Sequence, residues 1–216
     1  HTMLDKTARR REFIAAGLPA AAASSLRGAQ RASGPRAAEL PSVRIGDKSI
    51  SRLVAGSNPI SGYSYGTPKL DRHMLEYFTV ERITEFILRC ERQGITTWQS
   101  NYNPRVRDGL RAARERGSRI QWILLTSESQ GNLQEAMALK PIAVCHHGGV
   151  SDRLTRSGKQ EAIHDFVKRV HDLGAMAGIS THNPDFLAKF EDAGWENDFY
   201  MACFYQFSRT KGEIKQ

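Results

Sequence analysis

Cysteine is scarce in this 216-residue chain, and its three copies, Cys90, Cys145 and Cys203, lie far apart with no CxxC spacing. An odd count of distant thiols, each inside an apolar segment, argues against a disulfide framework and leaves buried free thiols as the expectation. A long apolar run is also missing. The uncharged stretch from Phe13 to Leu26 is too short and too Ala-rich for a stable membrane span, which needs about 20 strongly apolar residues. No strand-like segment leads into G-x-G-x-x-G or G-x-x-x-x-G-K, so the fingerprints of nucleotide-binding folds are absent. Acidic residues are outnumbered, giving a net charge of +8, but half of that excess sits in residues 1–40, where seven Lys/Arg face Asp5, Glu12 and Glu39. The remaining +4 is too dilute to read as a nucleic-acid footprint. What is present, 40 % apolar and 25 % charged residues, is ordinary globular composition.

The N-terminal stretch "TARRREFIAAGLPAAAASSL" sets a basic cluster before a modest apolar segment, the order of an export signal. Arg10-Arg11-Glu12-Phe13-Ile14 resembles the twin-arginine motif, two arginines followed by any residue and two apolar ones. The resemblance implies a partner in the twin-arginine export machinery, transport of a folded bacterial protein and a periplasmic location. The alternative is a basic amphipathic helix of a cytosolic protein. The loop-like "RGAQRASGPRAAELP" follows, so residues 1–40 are expected to form signal and linker, and residues 41–216 the folded domain.

From residue 41 onward the chain alternates short apolar runs with amphipathic stretches, the pattern of repeated βα units around a parallel sheet. "SRLVAGSNP", "GITTWQSNYNP", "RIQWILLTSES", "PIAVCHHGG", "AMAGISTHNP" and "DFYMACFYQ" read as six strands. A Gly/Tyr/Ser-rich loop is expected after the first, then a helix capped by Thr79 with Val80, Ile83, Phe86, Ile87 and Cys90 on one face. "GKQEAIHDFVKRVHDLG" places Ile163, Phe166, Val167, Val170 and Leu173 on a single stripe. Nearly every strand ends in polar or ring-bearing residues, which suits the mouth of a (β/α)8 barrel. A whole barrel takes about 250 residues, so the expectation is a TIM-type barrel incomplete at its C-terminus, after about six βα units.

The runs "ISRLVAGSNPISG", "GITTWQSNYN" and "GISTHNP" resemble the first, second and fifth strands of the aldo/keto reductases, a likeness spanning roughly residues 43–206. It implies an oxidoreductase-type site for a small carbonyl or carbohydrate substrate, with NADP as coenzyme held mostly by the last two units. The family's catalytic Asp aligns with Gln99 and its Tyr with Tyr102. Its third-strand Lys has no counterpart in "LLTSES", and its fourth-strand His is His146 or His147. The Lys–Asp pair that lowers the tyrosine pKa is thus missing.

Strand ends of a barrel converge on one mouth, which would gather catalytic candidates His146, His147, Tyr102 and His182 with substrate-binding candidates Asn58, Trp98, Gln99, Asn101, Asn183 and Tyr205. Strand neighbours point opposite ways, so only one of His146 and His147 need face inward. Two chemistries stand open. Glu128, His147 and His182 form a mixed carboxylate and imidazole set for a divalent metal that would serve a sugar isomerase, lyase or hydrolase. Alternatively a histidine and Tyr102 transfer protons without metal. A non-catalytic carbohydrate-binding barrel, with these groups merely satisfying one another at the rim, is the third reading. Tyr63, Tyr65, Trp98 and Tyr102 would suit stacking on a sugar ring.

Overall fold

The computed structural model describes residues 40–127 and 133–203. The leader read from residues 1–39, and the site candidates Glu128 and Tyr205, lie outside them. The described part belongs to one compact unit that begins at Ala37.

Its centre is a parallel sheet in sequential order: β3 (Thr97–Ser100), β4 (Gln121–Thr126), β5 (Ala143–His146), β6 (Met176–Thr181) and β7 (Phe199–Ala202). Ala55 adds a sixth position beside β3 through a parallel bridge to Trp98, with Ala55 N–H donating to the Thr97 carbonyl at 3.0 Å. Strand neighbours that follow chain order, joined by helices, are the topology of a (β/α)8-type barrel, of which six positions are laid out here. The expected first strand is therefore only a bridge. Ser57, Asn58 and Pro59 turn the chain at once into a short 3-10 helix, Pro59–Ser61.

The helices form where caps and apolar spacing agree. In α2 (Val80–Arg92), the Thr79 side chain accepts from Arg82 N–H, while Ile83, Thr84, Ile87 and Cys90 share the buried face. Asn103 and Pro104 start α3 (Pro104–Glu115), and Asn183 and Pro184 start α7 (Pro184–Asp192) by the same device. In α6 (Glu161–Asp172) the buried stripe is Ile163, Phe166, Val167 and Val170, and Leu173, expected to extend it, is 41 % exposed at the helix C-cap. A short α4 (Leu133–Met137) precedes β5.

Three elements depart from expectation. The stretch read as a loop contains α1 (Pro68–Tyr77), capped by Thr67 and with no fully buried residue. A second helix, α5 (Gly148–Arg156), follows β5 directly, ahead of α6. Finally, β1 (Ser42–Ile45) and β2 (Lys48–Ser51) pair as an antiparallel hairpin turning at Gly46, whose φ of +54° suits glycine. This hairpin reaches the N-terminal ends of the barrel strands: Ser51 N–H donates to Thr96 Oγ1 at 2.8 Å and Gln121 Nε2 to the Ser49 carbonyl at 2.8 Å. It covers the end opposite the expected mouth.

The core has two faces because parallel strands are buried on both sides. Outward-facing Trp98, Trp122, Leu124, Val144, Ala177 and Ile179 pack under the helices, while Ile123, Ala143 and Cys145 gather inside the curled sheet with Leu125, Met176, Phe199 and Met201. Helices α2 and α3 pack closely, and Gly109 faces the Ile83 side chain so nearly that a Cβ would overlap it. Gly109→Ala should therefore destabilise the domain. Overpacking costs about 1–3 kcal/mol, against a helix-propensity gain of about 1 kcal/mol. A urea midpoint at or above that of the wild type would show that the contact relaxes freely.

Candidate functional site at the strand ends

Side-chain alternation sorts the strand ends into two groups. Gln99 of β3 and Asn101 just after it, Leu125 of β4, His147 after β5, Ser180 of β6 and His182 just after it, and Met201 of β7 and Cys203 just after it all line one cavity of about 520 Å³. Its remaining wall is the segment after Ala55: Ser57, Asn58, Ser61, Tyr63 and Tyr65. Here Ser61 Oγ donates to Asn101 Oδ1 at 2.7 Å and Asn58 Nδ2 to the Tyr65 hydroxyl at 2.8 Å. No Lys or Arg is among the described residues that line the cavity.

Five expected residues thus meet there: Asn58, Gln99, Asn101, His147 and His182. Four others do not. Trp98 is fully buried, donates Nε1–H to the Gly56 carbonyl at 3.2 Å and packs edge-on against Phe86 of α2. Tyr102, an aromatic packed against the helix-side core, places its buried hydroxyl near Glu135 and Arg107. Burial, then Glu135, raises its pKa, the reverse of what an acid catalyst needs. Asn183 caps α7, accepting from Asp185 N–H at 3.0 Å. His146 points under the helices, 2 % exposed and edge-on to Phe166 at 4.8 Å. Its Nδ1 lies 2.7 Å from Ser151 Oγ, and because that hydroxyl donates to the His147 carbonyl at 3.2 Å, the imidazole must donate from Nδ1.

The strongest polar arrangement is one that the strand pattern alone did not reveal. Asp152 of α5, with only 5 % of its side chain exposed, receives three donors from the end of β6: Thr181 Oγ1 at 2.5 Å, His182 N–H at 3.2 Å and His182 Nδ1 at 2.8 Å. The carboxylate thereby fixes the His182 tautomer with the proton on Nδ1 and leaves Nε2 without a protein partner among the described residues. His147 stands beside it. Burial, followed by the nearby His182, holds the His147 pKa below its ordinary value, so this ring is neutral at neutral pH. Gly148 permits the crowding, since a Cβ there would come within 2.8 Å of Ser180 Oγ and 3.1 Å of His182 Cε1. Asp152 was hidden because α5 was not anticipated. The signal available was "GGVSDR", an acid five residues after His147 on a helical turn.

The thiols are free, as expected, with Cys90 and Cys145 buried and Cys203 partly exposed at the cavity. Burial raises the pKa of Cys203, with Asp152 adding to the effect, so it is a thiol rather than a thiolate. Among the described residues no three His, Cys, Asp or Glu side chains are grouped to hold a metal, and the third member of the expected set, Glu128, lies outside them. No helix among the described residues is long and apolar enough to cross a membrane.

No family model matches the chain, and no curated protein does. Among solved structures, a truncated form of 3-deoxy-D-arabino-heptulosonate 7-phosphate synthase from Thermotoga maritima is similar, with a TM-score of 0.47 and 14 % identity over 79 % of this chain. The match spans 60 % of that protein's length. The aldo/keto reductase resemblance is accordingly withdrawn. No family model and no curated protein ties the chain to those enzymes, and Tyr102, which would have been the proton donor, lies outside the cavity.

His146 makes stability depend on pH. Burial, then His147, pushes its pKa from 6.5 down to about 4. The unfolded chain therefore binds the proton first, and stability is full above about pH 6.5 and falls as the pH drops through 4. At about 1.4 kcal/mol per unit the loss approaches about 3 kcal/mol. His146→Leu should flatten that part of the stability curve in urea titrations between pH 7 and 4; an unchanged slope would refute the assignment.

Proposed function

We propose that the cavity is the active site of an enzyme that performs general acid–base chemistry on a small, uncharged, hydroxyl- and carbonyl-bearing substrate of carbohydrate type. His182 is the base and Asp152 its positioning partner. The single observation that carries this reading is the 2.8 Å bond between His182 Nδ1 and the buried Asp152 carboxylate, which leaves Nε2 free in a polar cavity. Such a pair orients the ring and stabilises the imidazolium that forms when Nε2 takes a proton. The lining matches the substrate class: Ser57, Asn58, Ser61, Gln99 and Asn101 offer hydroxyls and amides, and Tyr63 and Tyr65 expose aromatic faces, 57 % and 74 % accessible, on which a sugar ring can stack. The absence of Lys and Arg from the described lining favours an uncharged substrate.

A metal-assisted isomerase, lyase or hydrolase is the second reading, because a carboxylate on the far nitrogen is also how metal-binding imidazoles are held. It would use His147 and His182 with Glu128. Export to the periplasm through the twin-arginine machinery remains a proposal resting on the Arg10-Arg11 motif alone.

The test is turnover of a panel of small sugars and hydroxy-carbonyls by the full chain, followed by proton NMR in D2O. Conversion or solvent-deuterium incorporation is expected. His182→Gln should reduce it by at least about 100-fold and Asp152→Asn by a comparable factor. Wild-type rates in His182→Gln would overturn the assignment. Activity lost on chelation and restored by a divalent ion would select the metal reading, and saturable sugar binding without turnover would select a binding protein.

A further inference from the structure

We infer that the N-terminus of α5 and Ser180 together form an oxyanion cradle, which holds the carbonyl oxygen of the substrate while His182 removes a proton from the adjacent carbon. The inference rests on the acid–base reading above and adds the class of reaction, enolisation. It starts from unsatisfied donors. In α5, Val150 N–H and Ser151 N–H both bond the His147 carbonyl at 2.9 Å, whereas Gly148 and Gly149, the first two residues of this nine-residue helix, donate to no acceptor among the described residues. His147 caps the helix without a side-chain bond. Gly148 lines the cavity, so the positive end of the helix dipole opens there.

The second, independent observation is Ser180. It is only 4 % exposed, yet it lines the cavity and its hydroxyl makes no hydrogen bond among the described residues. That oxygen is open to the cavity rather than sealed in the core, so a ligand there can supply the partner it lacks. Its oxygen lies 2.8 Å from where a Cβ on Gly148 would stand, and His182 Cε1 lies 3.1 Å from that same point. Hydroxyl, helix terminus and imidazole therefore converge on one small volume.

Electrostatics choose the occupant. A permanently charged phosphate would meet no Lys or Arg in the described lining and would stand near the Asp152 carboxylate behind His182. A neutral carbonyl enters without that repulsion and acquires charge only as the reaction proceeds, which is when fixed donors lower the barrier most. In the step itself the Nε2 lone pair takes the proton from the carbon beside the carbonyl. The C–H electron pair becomes the C=C bond, and the C=O π pair moves onto the oxygen in the cradle. The products are an enolate and an imidazolium facing Asp152, and return of the proton to carbon restores both partners with no net oxidation.

Binding to the full chain, followed by NMR, tests the cradle with three probes: glycolohydroxamate, which mimics an enediolate; dihydroxyacetone, a neutral ketone; and inorganic phosphate. The wild type is expected to prefer glycolohydroxamate to dihydroxyacetone by about tenfold or more, and Ser180→Ala to weaken glycolohydroxamate by about tenfold more than it weakens dihydroxyacetone. The Ser180 side chain bonds nothing among the described residues, so its replacement is expected to keep the domain intact. Gly148→Ala, whose Cβ would fill the cradle, should lose the preference altogether. Unchanged hydroxamate affinity in Ser180→Ala would overturn the cradle, as would phosphate competing with a Ser180-dependent affinity, the mark of a fixed-anion site. If His182→Gln abolishes turnover while Ser180→Ala alters neither turnover nor hydroxamate binding, the cradle fails and the acid–base reading stands. If turnover ignores His182, that reading fails instead.

Discussion

The alternation of side chains along a parallel strand governs this molecule. Successive residues face opposite sides of the sheet, so a strand buried on both faces must send one of any two neighbours under the helices and the other into the barrel. At the end of β5 this separates His146 from His147. One becomes a neutral core residue bonded to Ser151; the other enters the cavity. The same rule places Gln99 and Asn101 in the cavity while Trp98 and Ser100 face the helices, where the Ser100 hydroxyl accepts from Trp122 Nε1 at 2.8 Å.

The helices on the outer face then do more than cover the sheet. α5 follows β5 without a loop, so its first turn lies at the strand ends, and its fifth residue, Asp152, reaches across to the end of β6. The bonds from the Thr181 hydroxyl and from the backbone N–H and Nδ1 of His182 fasten the two units together at the cavity wall. Burial of that carboxylate is tolerable because donors surround it.

Much of the architecture was legible in the chain. The βα alternation, the strands around Gln121–Thr126 and Met176–Thr181, and the stripe of Ile163, Phe166, Val167 and Val170 all follow from apolar periodicity. The first strand was not, since SRLVAGSNP has strand-like content but only Ala55 pairs, the Gly-Ser-Asn-Pro sequence turning the chain too early. The hairpin at Gly46–Asp47 and α1 were missed because each is short and exposed, with little apolar pattern to read. At the site, inward positions could be deduced only in part. Strand phase separates His146 from His147 once the register is fixed, but the direction of Tyr102 depends on where β3 ends. Asp152 and Ser180 depend on tertiary proximity between two units, which no local pattern encodes. Resemblance of strand-end wording to aldo/keto reductases misled for a related reason, in that polar strand ends are what any barrel mouth requires.

The polar cavity has a neighbour. An apolar hollow of about 460 Å³, walled by Leu53, Phe78, Phe86, Cys90 and Ile95, shares Ser57, Asn58 and Gln99 with it. That common partition has oil on one side and hydrogen-bonding groups on the other. Asn58 is tethered on the wet side by its 2.8 Å bond to the Tyr65 hydroxyl, and the apolar side chains of the hollow offer Ser57 and Gln99 nothing to bond, so the septum favours the wet chamber by exclusion as well as by tethering.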